Sequence, residues 1–451
     1  MKLEPMAHQR AFAERWAATG RLLNFSGCGT GKTASCILTI EQYWPGARVL
    51  VLGPLSILKP AWGGDLDRFV PGSRWEIAYA KNREQVMTSS EAQWVITNHD
   101  AIKQIADNNW HTQFDVLVVD EADAFRNKDS LRSKALAKVT AEVPYVTLMT
   151  GTPTPKSVLD VWHLAFCVDR GERLGKNYFG FRANVCSPKQ VTNTIVKWVD
   201  KPQANDIVTA LLSDVTFRVN LDDVTEMPPL VTRTVQVDIP PKLLKMYRQM
   251  QYDSLLELEN KEVVNAVHAG ARLQKLLQIL SGAVYDENGA VKDLHKERHE
   301  LVLDLALEAE ASLVAFQWEH QRKGLEAEAK KRGIDYGIID GSTAIKDRER
   351  LVEQFQAGKL QVLFAHPQSA GHGLTLTMGT RLVWASPTHR ADLYEQMVHR
   401  IYRKGQTRRC EVIHVAADGT AEEEVYIKVA EKRGRMEDLL ALVCQLQELA
   451  A

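Results

Sequence analysis

The stretch LLNFSGCGTGKTASCIL, residues 22–38, sets Gly27, Gly29 and Gly31 ahead of Lys32 and Thr33, between an apolar run and a helical one. Glycines let a backbone curl so that its N–H groups point inward at phosphate. In such a loop Lys32 would reach the β and γ phosphates of a nucleotide and the Thr33 hydroxyl would ligate Mg²⁺, with Thr30 inside the same turn. The strict pattern has glycine where Ser26 stands. A phosphate loop needs an acidic partner, and FDVLVVDEADAF, residues 114–125, supplies one: an apolar strand ends on Asp120 and Glu121, at the edge where α/β sheets bind ligands. Asp120 would join Thr33 in the Mg²⁺ shell, and Glu121 would polarise an attacking water. Taken singly, the loop could be a glycine-rich turn and the acidic pair a helix cap; together they point to nucleotide chemistry.

A third group lies far downstream. YEQMVHRIYRKGQTRR, residues 394–409, is strongly cationic in a chain of net charge -1. At about 100° per residue, Gln396, Arg400 and Arg403 fall within a roughly 60° arc of one helix face. A planar, permanently charged guanidinium fits phosphoryl oxygens better than any other side chain. A solvated basic helix is the plain alternative, and Lys404, Arg408 and Arg409, off the stripe, default to solvent or phosphate-backbone contact.

These groups need elements to hold them. Short apolar runs, ARVLVLG, QWVITN, FDVLVVD and YVTLMTG, alternate with helical stretches, which suits the buried strands of a parallel sheet with crossover helices. The rhythm returns in SLVAFQ, DYGIID, LQVLFAH, TRLVWAS and CEVIHVA, so the fold class is α/β with two parallel-sheet lobes. No second glycine-lysine loop follows residue 300, so one nucleotide site is expected. The boundaries read as 1–218 for the first lobe, with a helical insertion at about 163–215. Residues 219–299 form a proline-marked extended and then helical linker, and 300–451 form the second lobe.

The order AHQ, SGCGTGKT, VLGPLSILKPAW, ITNHD, VVDEADAFRN, LMTGTPTPKSVLDVW resembles the motif series of Swi/Snf-type ATPases in helicase superfamily two, across nearly the whole first lobe. The resemblance implies RecA-like lobes, ATP with Mg²⁺ as cofactors, and double-stranded DNA as the partner. It places adenine recognition on Gln9 and lines the nucleic-acid track with Pro54, Leu55 and Ser56 and with Thr97, Asn98 and His99. Thr150, Gly151 and Thr152 of TGTP would link ATP state to that track. In the second lobe, IIDGSTAIKDRERLVEQFQAGKLQVLFAHPQSAGHGLTLT and YRKGQ are similar to the family's later motifs. They imply arginine fingers at Arg400 and Arg403, nucleotide contacts at Gln396 and Gly373, and phosphate-backbone contacts at Gly341, Ser342, Thr343, Ser369, Gly371 and His372. His372 and Thr375 depart from the usual wording, as do the histidine-less Asp-Glu-Ala-Asp and the Ser-Gly-Cys of the loop. Asp123 alone would suggest a DEAD-box RNA helicase, but TGTP stands where those carry Ser-Ala-Thr. The compact form looks like versions carried by bacteriophages.

With 451 residues the chain exceeds one ordinary core, and its 25% charged, 45% hydrophobic composition is that of a soluble globular protein. Near-neutral charge gives no global reason to bind nucleic acid or a membrane, so any such binding is local. Cys28, Cys36, Cys167, Cys186, Cys410 and Cys444 follow no metal-ligand spacing and read as reduced thiols in a cytoplasmic protein. No apolar run approaches the roughly 18 residues that span a bilayer. The expected activity is an ATP-dependent translocase on duplex DNA. An unwinding helicase on RNA or single strands, and an ATP-gated clamp or recruitment module, are the alternatives.

Overall fold

The structure is a computed structural model, and it describes residues 4–154, 157–190, 196–260, 266–285, 291–293, 297–370 and 374–432. The chain divides into two compact units, one holding Met1–Pro188 and Trp198–Glu226, the other Lys189–Lys197 and Met227–Arg433.

The first unit is built on a seven-stranded parallel sheet in the spatial order Trp75–Ile77, Trp94–Asn98, Val49–Gly53, Val116–Val119, Tyr145–Met149, Arg21–Asn24, Thr216–Phe217. Its central strands are buried along their whole length, because helices cover both faces. Alternation along each strand splits them between two cores: Leu50, Leu52, Leu117 and Val119 face one, and Val49, Val51, Val116 and Val118 face the other. The expected insertion is no appendage. Helices Trp162–Asp169, Tyr178–Val185 and Ala204–Leu212 send Leu164, Val168, Phe181, Val185, Val208 and Leu212 into the first of those cores. The chain then returns as Thr216–Phe217 to pair beside Arg21–Asn24, the strand that leads into the phosphate loop.

The second unit carries a six-stranded parallel sheet in the order Leu230–Gln236, Cys410–Ala416, Arg381–Trp384, Ser312–Ala315, Val362–Ala365, Tyr336–Ile339. Here the sequence reading of 219–299 as a linker needs correction. Leu230–Gln236 is the edge strand of this sheet, in register with all of Cys410–Ala416. The prolines that suggested a connector suit an edge strand, where a missing N–H costs nothing, and the Pro229 carbonyl itself accepts from the Cys410 N–H at 2.9 Å. Leu243 and Tyr247, then Leu276, Ile279 and Leu280, from the two following helices, join Val314, Phe364 and Val383 in one core.

A buried ion pair locks the second unit. Arg298 donates through Nη1 and Nη2 to the two carboxylate oxygens of Glu422, at 2.8 and 2.5 Å, with both side chains fully buried. Nη1 also reaches the Ala385 carbonyl at 2.8 Å, just past strand Arg381–Trp384, while the Ala417 N–H donates to Glu422 at 2.9 Å. Two buried charges satisfied this way are costly to separate. Arg298→Met is expected to destabilise the second unit by about 3–5 kcal/mol, because it strands the Glu422 carboxylate without its partner. Urea unfolding followed by far-UV circular dichroism checks it; a midpoint within error of the parent protein would refute the assignment.

Candidate active site

Five adjacent strands of the first sheet end on the same edge, and the loops leaving those ends make up the site. Strand Arg21–Asn24 leads into the phosphate loop, whose Gly29 and Gly31 sit at φ 81° and 80°, a region that L side chains rarely adopt. Thr30 closes the turn by donating to the Gly27 carbonyl at 2.8 Å, and the His8 ring donates to the Thr30 carbonyl at 2.9 Å. Gln9 stands beside the loop: a Cβ on Gly31 would lie 3.2 Å from its Nε2, and its Oε1 accepts from the Met6 N–H. Ser26, the departure from glycine, has a use. Its Oγ accepts from the Val219 N–H at 3.2 Å, tying the loop to the chain beyond Thr216–Phe217.

Lys32 and Thr33 open the helix Lys32–Tyr43. The Lys32 ammonium folds over its own loop and donates to the carbonyls of Ser26 and Gly27 at 2.9 and 3.0 Å. Two strands away, Asp120 is buried, with Oδ1 accepting from the Glu121 N–H and Oδ2 from the Trp62 indole N–H, both at 3.0 Å. Burial pushes the Asp120 carboxyl up, opposed chiefly by the charge of Lys32 and then by these hydrogen bonds. A buried carboxylate sustained by a nearby cation, with a threonine hydroxyl at the head of the adjoining helix, is a hard-oxygen set of the kind Mg²⁺ takes. The residues present therefore fit the metal, which Thr33 and Asp120 would hold. Glu121 has a left-handed backbone, φ 50° and ψ 53°, which costs about 1–3 kcal/mol in a non-glycine residue.

The strand between them, Tyr145–Met149, delivers TGTP against the phosphate loop. A Cβ on Gly151 would come within 3.2 Å of the Cys28 sulfur. Thr150 is fully buried, its N–H donating to the Asn24 carbonyl and its Oγ1 accepting from the Thr152 N–H, and Thr152 is buried too. These threonines brace the loop and are closed to a polymer, which corrects their place among nucleic-acid contacts. Thr97 is corrected likewise: it is fully buried and donates to the Ala78 carbonyl at 2.6 Å. His99 turns inward, its ring donating to the Asp120 carbonyl at 2.7 Å with its edge on Phe125; burial lowers its pKa and keeps it neutral. Asn98 accepts from Arg83. Pro54 is half-buried and Leu55 exposed, the latter opening the short turn Leu55–Ile57 that includes Ser56. Asp123 is paired with Arg126 at 2.8 Å.

In the second unit, Gln396 and Arg400 lie on helix Ala391–Ile401, but Arg403 falls beyond its last residue, so the expected helical stripe stops short. The two arginines converge all the same: Arg400 and Arg403 each donate through Nη1 to the Leu374 carbonyl at 3.0 Å. Arg400 also donates through Nε to the Gln396 carbonyl at 2.7 Å, and the buried Gln396 Oε1 has no hydrogen-bond donor among the described residues. Gly341 and Ser342 are exposed in a turn organised by Asp340, which accepts from the Ser342 N–H and hydroxyl, while Thr343 accepts from the Asp340 N–H. Ser369 is half-buried after Val362–Ala365. Gly371, His372 and Gly373 lie outside the described residues.

Two residues that spacing did not single out position the others. Gln406 is buried and donates to the carbonyls of Thr377, Gly379 and Ile401 while accepting from the N–H groups of Thr407 and Arg408, which fixes the turn carrying Arg403. Trp62 is fully buried and aims at the carboxylate of Asp120. A buried indole N–H needs an acceptor, the only signal the sequence carried for it. Trp62→Phe keeps the packing and removes the donor. It is expected to raise the Mg²⁺ concentration that half-saturates ATP turnover by about tenfold, and an unchanged Mg²⁺ dependence would show that the indole does not orient Asp120.

Comparison with known proteins agrees with this layout. A model of the SNF2-related domain matches residues 16–286, and one of the helicase conserved C-terminal domain matches residues 297–405. A putative protein, p41, of Acyrthosiphon pisum secondary endosymbiont phage 1 is 28% identical, covering 92% of this chain and 93% of its own. An uncharacterized ATP-dependent helicase of Mycoplasma genitalium and the human DNA annealing helicase and endonuclease ZRANB3 are each 24% identical over 88% and 89% of this chain. The chain spans only 38% and 37% of the length of those two helicases. Among solved structures, the Sulfolobus solfataricus SWI2/SNF2 ATPase core in complex with dsDNA aligns over 98% of this chain and 93% of its own, at 20% identity and a TM-score of 0.46. With a phosphate loop, an acidic strand end and a later arginine pair in the order that these two domain models join, the chain belongs to the SNF2-related family of helicase-like proteins.

Proposed function

We propose that the protein is an ATP-dependent translocase on double-stranded DNA. The observation that carries the reading is the placement of Lys32, Thr33, Asp120 and Glu121 along the same edge of one sheet, in a family whose second domain here brings two guanidiniums to a single carbonyl. Lys32 would neutralise charge on the β and γ phosphates, and Glu121 would orient the attacking water and draw its proton. Thr33 and Asp120 would hold Mg²⁺, which when bound supplies further charge neutralisation to the phosphate oxygens. Gln9 and Gln396 would help to seat the nucleotide.

Arg400 and Arg403 would exchange the Leu374 carbonyl for phosphoryl oxygens when the two units close on ATP, and return when hydrolysis removes the charge that draws them. Gly341, Ser342, Thr343 and Ser369 in one unit, and Pro54 and Leu55 in the other, would touch backbone phosphates, so that closure shifts one grip past the other without reading sequence. Duplex DNA is favoured as the track because the motif wording is that of the Swi/Snf type and a relative bears the name of a DNA annealing helicase.

The test is ATP turnover with no nucleic acid, duplex DNA, single-stranded DNA and RNA at one salt concentration, followed by displacement of a third strand from a triplex. Stimulation by duplex together with ATP-dependent displacement is expected. Stronger stimulation by RNA or single strands would replace the duplex reading with an unwinding one. Turnover without displacement would make the protein a clamp.

A further inference from the structure

The first unit carries a ladder of cations and aromatic rings that the nucleotide site does not use. Helix Tyr178–Val185 is capped at its start by the Asn177 side chain, which accepts from the Phe179 N–H at 2.9 Å. At its end the Lys201 ammonium donates to the carbonyls of Ala183 and Asn184 at 3.0 and 2.7 Å. Phe181 and Val185 bury one side of it in the core. The other side presents Phe179, which is 59% exposed. The Lys128 ammonium lies 4.8 Å from the Tyr178 ring centre and 5.3 Å from that of Phe179; the Arg182 guanidinium lies 5.1 Å from Phe179 and 4.1 Å from Trp198. The Trp162 and Tyr178 rings, 5.4 Å apart edge to face, support the ladder from below.

We infer that this ladder is an accessory binding surface for single-stranded nucleic acid, with Phe179 stacking an unpaired base and Arg182 holding the adjacent phosphate. Lys128 has a carboxylate partner in Asp129, at 2.7 Å, but among the described residues no carboxylate lies within ion-pairing distance of Arg182. The one carboxylate on the neighbouring strand, Asp200, is already bound to the Ser157 hydroxyl and the Val158 N–H. A guanidinium stacked on an indole keeps its edge donors for an anion, and phosphate is the anion that its planar fork fits. The solvent-facing ring beside it selects for a flat partner: every unpaired base offers a π face, whereas a duplex hides its base faces and an acidic peptide has none. The ladder rests on a packed helix with both ends capped, so little order has to be gained on binding. This surface is independent of the track proposed for duplex DNA.

The experiment is fluorescence anisotropy on the full chain, without nucleotide, using labelled oligothymidine and a duplex of equal length, for Phe179→Ala, Arg182→Gln and Arg182→Lys. Phe179→Ala and Arg182→Gln are expected to weaken oligothymidine binding about tenfold each and to leave duplex binding and duplex-stimulated ATP turnover unchanged. Arg182→Lys, which keeps the charge and loses the planar stack, is expected to fall between them and the parent. Equal losses for both nucleic acids, or none for either, overturn the inference. So does polyglutamate competing for the ladder as well as oligothymidine does at the same salt, since that would assign the surface to an acidic protein.

Discussion

Arg403→Ala is expected to leave duplex binding intact while lowering DNA-stimulated ATP turnover by about 10³- to 10⁵-fold, the range seen where an arginine supplies charge to a transferring phosphoryl group. The two arginines meeting at Leu374 are not equivalent. Arg400 is 5% exposed and is held both by that carbonyl and by the carbonyl of Gln396 one helical turn back. Arg403 is half-buried and lies past the end of the helix, in a turn pinned by Gln406, so its side chain is the less enclosed of the two. Deleting it removes the hydrogen bond to the Leu374 carbonyl from a half-buried turn, where such a bond has a net worth of about 1 kcal/mol. Arg400→Ala, by contrast, opens a buried site, and its loss of turnover would mix chemistry with instability. Arg403→Lys separates charge from geometry: it restores the positive charge without the planar fork and is expected to recover only a small part of the rate. Normal turnover by Arg403→Ala in saturating DNA would remove it from the site.

How much of the molecule was legible in the sequence depends on where each kind of information is stored. The phosphate loop and the acidic strand end are local: glycines at Gly29 and Gly31 are demanded by their own backbone angles, and Asp120 and Glu121 by their place at the end of Val116–Val119. Strands such as Val49–Gly53 and Val362–Ala365 show as apolar runs because burial on both faces leaves little room for polar residues. The misplaced residues depend on what lies opposite them. Thr97 and Thr150 look like polar residues at a strand end, free to meet a ligand; only the fold shows the Ala78 carbonyl and the Thr152 N–H waiting for their hydroxyls. Leu230–Gln236 alternates half-buried and exposed positions between prolines, the mark of an edge strand as much as of a connector. Its partner strand is far along the chain: Arg233 bonds Glu411, 178 residues downstream. Helical extrapolation failed at Arg403 for a local reason: the chain leaves the helix at Tyr402, where φ is -97° and ψ 86°. Trp62 acts through one hydrogen bond to an aspartate 58 residues away, and Gln406 through several that join its own turn to the Thr377 and Gly379 carbonyls, and no spacing rule records either.

Lys32→Ala is expected to lower ATP turnover by about 10²- to 10³-fold at saturating duplex, with nucleotide affinity falling as well. The size reflects two roles that meet in one ammonium. In the structure it sits on the carbonyls of Ser26 and Gly27, holding a positive charge at the mouth of the loop where phosphate would be bound. It is also the leading electrostatic counterweight to the burial that pushes the Asp120 carboxyl up. Without it that carboxyl shifts further upward, so at any given pH within its titration more of it is protonated and less of it can hold Mg²⁺. This fixes the sign of the pH dependence: in Lys32→Ala, raising the pH deprotonates Asp120 and should recover Mg²⁺ affinity while leaving the phosphate contact missing, so Mg²⁺ dependence improves and maximal turnover does not. Two lost hydrogen bonds to loop carbonyls leave the fold nearly as stable, and duplex binding without nucleotide should be unchanged. Measuring the Mg²⁺ dependence and the maximal rate at several pH values separates the two roles. A variant that turns over ATP at the parental rate would mean that the loop holds no phosphate, and a maximal rate that recovers along with Mg²⁺ affinity would mean that the lysine acts on Asp120 alone.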